Sequence, residues 1–491
     1  MTDTTEPTTQ DRPGRWIAMA AILVAAFMNL IDVTIVNVAL PSMQAAFGAT
    51  DSQIEWVVAV YILVFALLLL PAGRLGDVIG RRRMFIAGIC VFTAASAICG
   101  MAPSIEALVA ARVLQGVGGA MMIPQTLALV PALFAPRERG LAFALFGVSA
   151  GLAAVTGPVL GGLLIAGDFA GLGWRPIFLV NVPVGILAVI AALRYVPDLP
   201  GEKGLRLDYV GVALAGAALL MFLFPLIEGR QIGWPWWCFA MLAAALPTIA
   251  AFVWWERRQA RIGAPQLIPA TLLQNAGFMT GCGLVMLLFG GMPGLFLTFA
   301  IMLQVGNGLT PLESGLTTVP FPVGVLVASS VSGWLGSRWP RLRICAGGAM
   351  MTAGILLLRA QVPGAGEALV RADFIAPLAL AGLGLGTAVS PLFQTVLSNV
   401  AGRDTGSASG AAQSFQQVGA ALGLAIVGEM FFSGVMSGLR AGGDVAHVYD
   451  DALAFALWFV AAIFAALTVL VWRLPAPSGA MTTGRAAPDV T

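Results

Sequence analysis

The sequence predicts an all-α integral membrane protein of fourteen transmembrane helices, built as two pseudo-symmetric six-helix bundles with a two-helix insertion between them. Three observations predict it. Of 491 residues, 59% are hydrophobic and only 10% are charged, against about 25% charged in a soluble protein. Basic residues fall alternately on one side and then the other of successive apolar runs. A charged, glycine-punctuated hairpin also occurs twice.

A crossing helix needs about 20 apolar residues. The runs that qualify are 16–40, 54–72, 84–101, 105–133, 140–166, 175–193, 208–228, 236–256, 275–304, 312–336, 343–361, 373–398, 408–436 and 452–472. The first is far longer than the 7–15-residue core of a secretory signal, so it reads as a retained span. An even number places both termini on one side. With the N-terminus inside, twenty basic residues face the cytoplasm. Five (Arg175, Arg230, Arg359, Arg371 and Arg440) face outward, and only Arg112 stays within a span. That excess on one side is the orientation signal of a membrane protein.

The hairpin is Gly73-Arg74-Leu75-Gly76-Asp77-Val78-Ile79-Gly80-Arg81-Arg82-Arg83. Hydrocarbon offers no partners for such a segment, so it belongs at a membrane surface. Its arginines place it at the cytoplasmic one. A second copy, Gly333-Trp334-Leu335-Gly336-Ser337, follows the tenth span, with Arg338, Arg341 and Arg343 echoing Arg81 to Arg83. Gly116-Val117-Gly118 of the fourth span is likewise echoed by Gly384-Leu385-Gly386 of the twelfth. Internal repeats of this size characterise transporters.

The expected organisation is then an N-terminal cytoplasmic tail 1–15, a first bundle 16–193, a linker 194–207, a helical hairpin 208–256, a linker 257–274, a second bundle 275–472 and a cytoplasmic tail 473–491. Five scattered cysteines inside apolar runs predict neither a disulfide framework nor a metal site. The sole histidine, His447, falls in an expected outer loop. No HExxH, GxSxG or phosphate-binding Gly-x-x-x-x-Gly-Lys motif occurs, and the only lysine is Lys203. A membrane enzyme, a receptor or a nucleotide-driven pump is therefore disfavoured. No basic, aromatic-interleaved patch points to nucleic acid.

These motifs resemble the major facilitator superfamily, and within it the fourteen-span drug:proton antiporters of the EmrB/QacA type. The hairpin is similar to the family's loop signature, departing at Val78 and, in the second copy, at Ser337. The run Leu30-Ile31-Asp32-Val33-Thr34 through Pro41 resembles the group's first-helix motif. Arg112-Val113-Leu114-Gln115-Gly116 resembles its proton-coupling motif. Gly147, Gly151, Gly157-Pro158 and Gly161-Gly162 resemble its antiporter motif, and Trp174 to Gly185 is typical of the fourteen-span branch. The resemblance implies proton-coupled efflux of small amphipathic drugs from the inner membrane, with no cofactor and the proton gradient as driving force. In a double-membrane bacterium it also implies a periplasmic adaptor. A dedicated exporter of one endogenous metabolite or lipid would carry the same motifs.

Ionisable residues deep in a span cost about 2.5–3.5 kcal/mol each on insertion scales and mark function by default. Asp32 and Arg112 lie at matched depth, roughly 10–12 Å below the outer edge at 1.5 Å per residue. They are the expected proton-coupling pair, accessible from a shared cavity, with Glu429 as a second carboxylate. Glu55, Glu228 and Glu313 are expected in water at span ends. The glycines of the fifth span are expected to shave one helix face into a close, bent contact. Gly73, Asp77, Gly80, Arg81, Arg82 and Arg83 form an expected gating loop, whose Asp77 meets the positive N-terminus of a helix near Ser407 to Gly410. Flexible methionines suit a permissive pocket, so Met28, Met121, Met122, Met286 and Met292, with Asn37 and Gln115, are the expected cavity lining. Gly290 to Gly294 should break the ninth span near substrate, and Trp234, Trp236 and Trp237 should form an interfacial belt.

Overall fold

A computed structural model describes residues 14–135, 138–168, 171–202, 205–229, 232–336, 338–362, 369–398 and 400–474. The expected terminal tails beyond these bounds, Ser337, and Arg12, Arg137, Lys203, Arg230 and Arg485 of the charge count lie outside the described residues.

Regular structure among the described residues is helical throughout. In order the helices are α1 (Arg15–Phe47), α2 (Asp51–Ile79), α3 (Arg81–Gly100), α4 (Ile105–Leu133), α5 (Arg139–Ala166), α6 (Pro176–Leu179), α7 (Asn181–Tyr195), α8 (Tyr209–Glu228) and α9 (Trp236–Arg261). They continue as α10 (Ala270–Leu273), α11 (Ala276–Gly290), α12 (Met292–Ile301), α13 (Pro311–Thr318), α14 (Pro320–Leu335), α15 (Pro340–Ala360), α16 (Ile375–Ser398), α17 (Thr405–Arg440) and α18 (Val445–Leu470). Among the described residues, thirteen helical segments are long and apolar enough to cross a membrane. The remaining expected span, 140–166, is the 28-residue α5, of which Arg139–Ala153 is a shorter apolar stretch.

The starts follow local chemistry. Thr50 caps α2 in a reciprocal box with Gln53, and Thr310 does the same for α13 with Glu313. Ser104, Asp208, Asn275 and Asp444 each accept a backbone N–H of the first turn that follows. Gly80 turns α2 into α3 at φ +105°, a conformation that L side chains rarely adopt.

Several expected boundaries are corrected. The first span continues through Pro41 to Phe47. The span 175–193 divides at Val180, and 312–336 divides at Val319, immediately before Pro320. The span 275–304 breaks at Gly291, as its glycines predict, and then ends in a π-helical turn, Met302–Gly306. The last span begins seven residues early, so His447 sits in the first turn of α18 beside Asp451 at 3.3 Å, not in a loop.

Two groups of helices pack among themselves. In one, α1 lies on α5 and α7, α3 on α4 and α7, and α2 on α4. In the other, α14 and α15 lie on α16, α15 and α17 on α18, and α11 and α12 on α17. The groups meet along α5 with α14 and α16, and along α17 with α2 and α4. The α8–α9 pair packs through α8 onto α2 and α17. The hairpin copies hold corresponding places: Arg82 donates to the Leu193 carbonyl near the end of α7, and Arg341 to the Leu474 carbonyl beyond α18. Lipid tails give apolar helices little reason to associate, so close backbone approach carries the packing. A side chain on Gly118 would strike the Phe92 backbone of α3, and one on Gly384 the Gly347 carbonyl and Met351 of α15.

Candidate functional site

Two fully buried charges, Asp32 and Arg112, lie between α1 and α4. Arg112 Nη1 stands 2.5 Å from Asp32 Oδ2, and neither side chain reaches solvent. Gln115, one turn along α4 and on the same face, donates to Asp32 Oδ1 at 2.7 Å and to Ser96 Oγ at 2.9 Å. Its Oε1 accepts from Arg112 Nη1 at 2.7 Å. Arg112 Nε is satisfied by the Val57 carbonyl at 2.8 Å. The Tyr61 ring covers the guanidinium at 4.2 Å, with Phe178 on α6 at 5.9 Å. The pair expected from depth is thus a direct ion pair with every carboxylate oxygen bonded. Removing one partner of such a pair leaves an uncompensated charge, at a cost of about 3–5 kcal/mol.

A cavity of about 560 Å³ occupies the seam between the two groups of helices. Tyr61 and Asn29 line it, and Asn29 donates to Tyr61 Oη at 2.5 Å. Asp32 and Arg112 are not among its lining residues, so the pair sits behind this wall and not open to the cavity as expected. The lining is largely aromatic and aliphatic, with Gln413, Gln416 and Gln417 of α17 as its main polar strip. None of the lining residues carries a formal charge.

Of the expected lining, only Met292 is there. Met28 and Met122 belong to the packed core, Met122 abutting Gly88 of α3. Met286 lies where α11 meets Gly419 of α17, and Met121 is half-buried outside the cavity wall. Asn37 is exposed and donates to the Val33 carbonyl of its own helix, while Gln115 belongs to the ion-pair network. Glu429 is exposed on α17 and takes no part in that network. Glu228, expected in water, is only 5% exposed, and its Oε1 has no hydrogen-bond partner among the described residues.

At the arginine-rich end, Asp77 crosses from α2 to α17. Its Oδ1 accepts from Gly406 N at 3.0 Å, and its Oδ2 from Ser407 N and Ser407 Oγ, both at 2.8 Å. Arg81 holds Oδ1 from the near side at 3.0 Å. A carboxylate on the first turn of a 36-residue helix meets unpaired N–H groups and the positive end of the dipole. Gly73 permits the approach, since a side chain there would occupy the Gly406 carbonyl. Ser409 Oγ donates to the Pro124 carbonyl of α4 at 2.8 Å, and buried Arg74 faces Asp404 at 3.6 Å. Gly80 forms the turn, Arg82 anchors α7, and Arg83 is exposed. In the second copy, Arg343 turns inward onto the Ser332 and Gly336 carbonyls of its own group.

The fifth-helix glycines serve two neighbouring helices, not one. Gly147 and Gly151 admit Ser329 and Leu326 of α14 across the seam, whereas Gly157 and Gly161 admit Thr34 and Ile35 of α1. Gly162 faces open space, and the side chain of Pro158 lies outside the described residues. Tyr61, Asn29 and the three glutamines escaped the sequence reading. The glutamines had a signal: positions 413, 416 and 417 share one helical face.

The Major Facilitator Superfamily profile matches residues 22–424. Over 439 residues the chain is 38% identical to the probable actinorhodin transporter of Streptomyces coelicolor, covering 89% of this chain and 75% of that protein. It is 34% identical to the multidrug resistance protein Stp of Mycobacterium tuberculosis, covering 84% and 75% respectively. Its fold is similar to the crystal structure of a human organic anion transporter, with a TM-score of 0.64 at 14% identity, over 94% of this chain and all of that one.

Proposed function

We propose a proton-coupled export cycle, from the premise that this chain belongs to the Major Facilitator Superfamily and is a membrane transporter, not an enzyme. In this reading it is of the fourteen-span drug:proton antiporter type. The α5 helix supplies the fourteenth span, and α8 and α9 form a hairpin inserted between six-helix bundles 16–193 and 275–472. Both termini and the arginine-rich end face the cytoplasm of the cell inner membrane. Export then runs outward, in a double-membrane bacterium toward a periplasmic adaptor.

The observation that carries the proposal is the Asp32–Arg112 pair, sealed behind the wall of an uncharged cavity. With Asp77 latched onto Ser407, the cavity is closed toward the cytoplasm. A proton arriving from outside neutralises Asp32. Arg112 then loses its ionic partner, while Gln115 can still hold the protonated carboxyl. That imbalance favours the other packing of the two bundles, in which Asp77 leaves Ser407 and cargo enters from the cytoplasm. Loss of the proton inward restores the pair and the latch. The antiporter-motif glycines at 147 and 151 are the sliding contact between bundles.

Cargo in this reading is a small amphipathic compound. A relative named as a multidrug resistance protein supports a broad range. One named as a probable actinorhodin transporter supports a dedicated exporter of a single endogenous metabolite. Proteoliposomes with an imposed proton gradient test the coupling: Asp32→Asn should abolish gradient-driven uptake into inverted vesicles, and unchanged uptake would sink the proposal.

A further inference from the structure

We infer that the central cavity selects uncharged, planar aromatic molecules bearing hydrogen-bond acceptors, with Gln413 as the selecting donor. This rests on the transport reading for its purpose, but not for its physical basis. Gln413 is only 7% exposed, lines the cavity, and its Nε2 has no hydrogen-bond partner among the described residues. A buried donor left unpaired is costly, so a ligand oxygen that the Gln413 amide turns to meet recovers free energy that no protein group supplies. Gln416 and Gln417 continue the same polar strip along α17.

The facing surfaces are rings. Phe143 and Phe146 of α5 lie 6.4 Å apart on one side of the seam. Phe289 of α11 and Phe393 of α16 lie 6.3 Å apart on the other. Two aromatic pairs and three amide side chains in one lining suit a flat solute with oxygens at its edge. A cation finds no carboxylate in the lining. Asp32, next to the lining residue Val33, is already paired with Arg112 behind Tyr61. The rings alone would attract a cation, but that attraction competes with the cation's lost hydration.

The test is equilibrium binding to the full-length protein in lipid nanodiscs without a proton gradient, with empty nanodiscs subtracted. Three tricyclic probes share one shape: acridone is neutral with a carbonyl, anthracene is neutral without one, and N-methylacridinium is cationic. Acridone should bind at least about tenfold more tightly than N-methylacridinium, and Gln413→Leu should weaken it about tenfold while leaving anthracene within about twofold. Gln413→Glu, nearly isosteric, should reverse the preference toward the cation. Tighter binding of N-methylacridinium than acridone by the unaltered protein would overturn the inference. Equal weakening of acridone and anthracene by Gln413→Leu would overturn it too. Proton-driven export with a cation preference would sink this inference alone. Selective acridone binding without proton-driven export would sink the transport reading alone.

Discussion

Asp32 and Asp77 are both buried carboxylates with an arginine beside them, yet they are held in opposite ways. The partners of Asp32 are the side chains of Arg112 and Gln115, on a helix of its own group. In the proposed cycle those contacts travel with it when the two groups move. Asp77 is held across the seam by the first turn of α17, through two backbone N–H groups and a hydroxyl. Those contacts must break when the groups part. A carboxylate whose partners move with it is suited to exchanging a proton. One whose partners belong to the other group is suited to reporting whether the seam is closed.

The largest expected effect separates the two roles. Asp32→Asn should lower gradient-driven transport by at least about a hundredfold, the scale of losing a buried pair. Substrate exchange at equal pH should stay within about threefold, because exchange requires no net proton movement. A parallel collapse of both activities in proteoliposome assays would mean that Asp32 only holds the fold. Asp77→Asn should do the reverse, releasing the closed end while leaving the ion pair intact. A cysteine introduced at the buried position Ser409 should then react with a membrane-impermeant thiol reagent about tenfold faster than with Asp77 present. An unchanged labelling rate would remove Asp77 from gating. Ser407→Ala deletes one of three bonds across the seam and keeps both backbone donors. It should speed the same labelling only about threefold to fivefold, as one hydrogen bond is worth about 1 kcal/mol. An effect equal to that of Asp77→Asn would show that the hydroxyl, not the helix terminus, is the true partner. Tyr61→Phe should be smallest. It keeps the ring over Arg112, loses the bond to Asn29, and should shift transport by less than about threefold.

The sequence carried the vertical dimension of this molecule better than the rotational one. Counting residues from span ends put Asp32 and Arg112 at one depth, and helix polarity pointed Asp77 to the helix terminus near Ser407 to Gly410. Both are consequences of fixed rise and fixed dipole direction. The methionines failed because a helix apolar on every side has no face that hydropathy can single out. Met122 points at Gly88, and only packing decides that. Gln413 was visible as a polar residue in an apolar run, but its orphaned Nε2 depends on what the neighbouring helices withhold. The breaks showed the same division. Gly291 and the Val319-Pro320 step follow from backbone sterics, whereas the π-helical turn after Ile301 has no local signature.

The length of α17 has a mechanical consequence. Thirty-six residues in one helix measure about 54 Å, well beyond the roughly 30 Å of a bilayer core. Ser407 and Gln413 lie on that single shaft, about 9 Å apart along its axis, with no proline or break between them. A pull on the amide at one point is therefore transmitted to the terminus at the other as by a rigid lever, so the cavity and the closed end cannot be loaded independently.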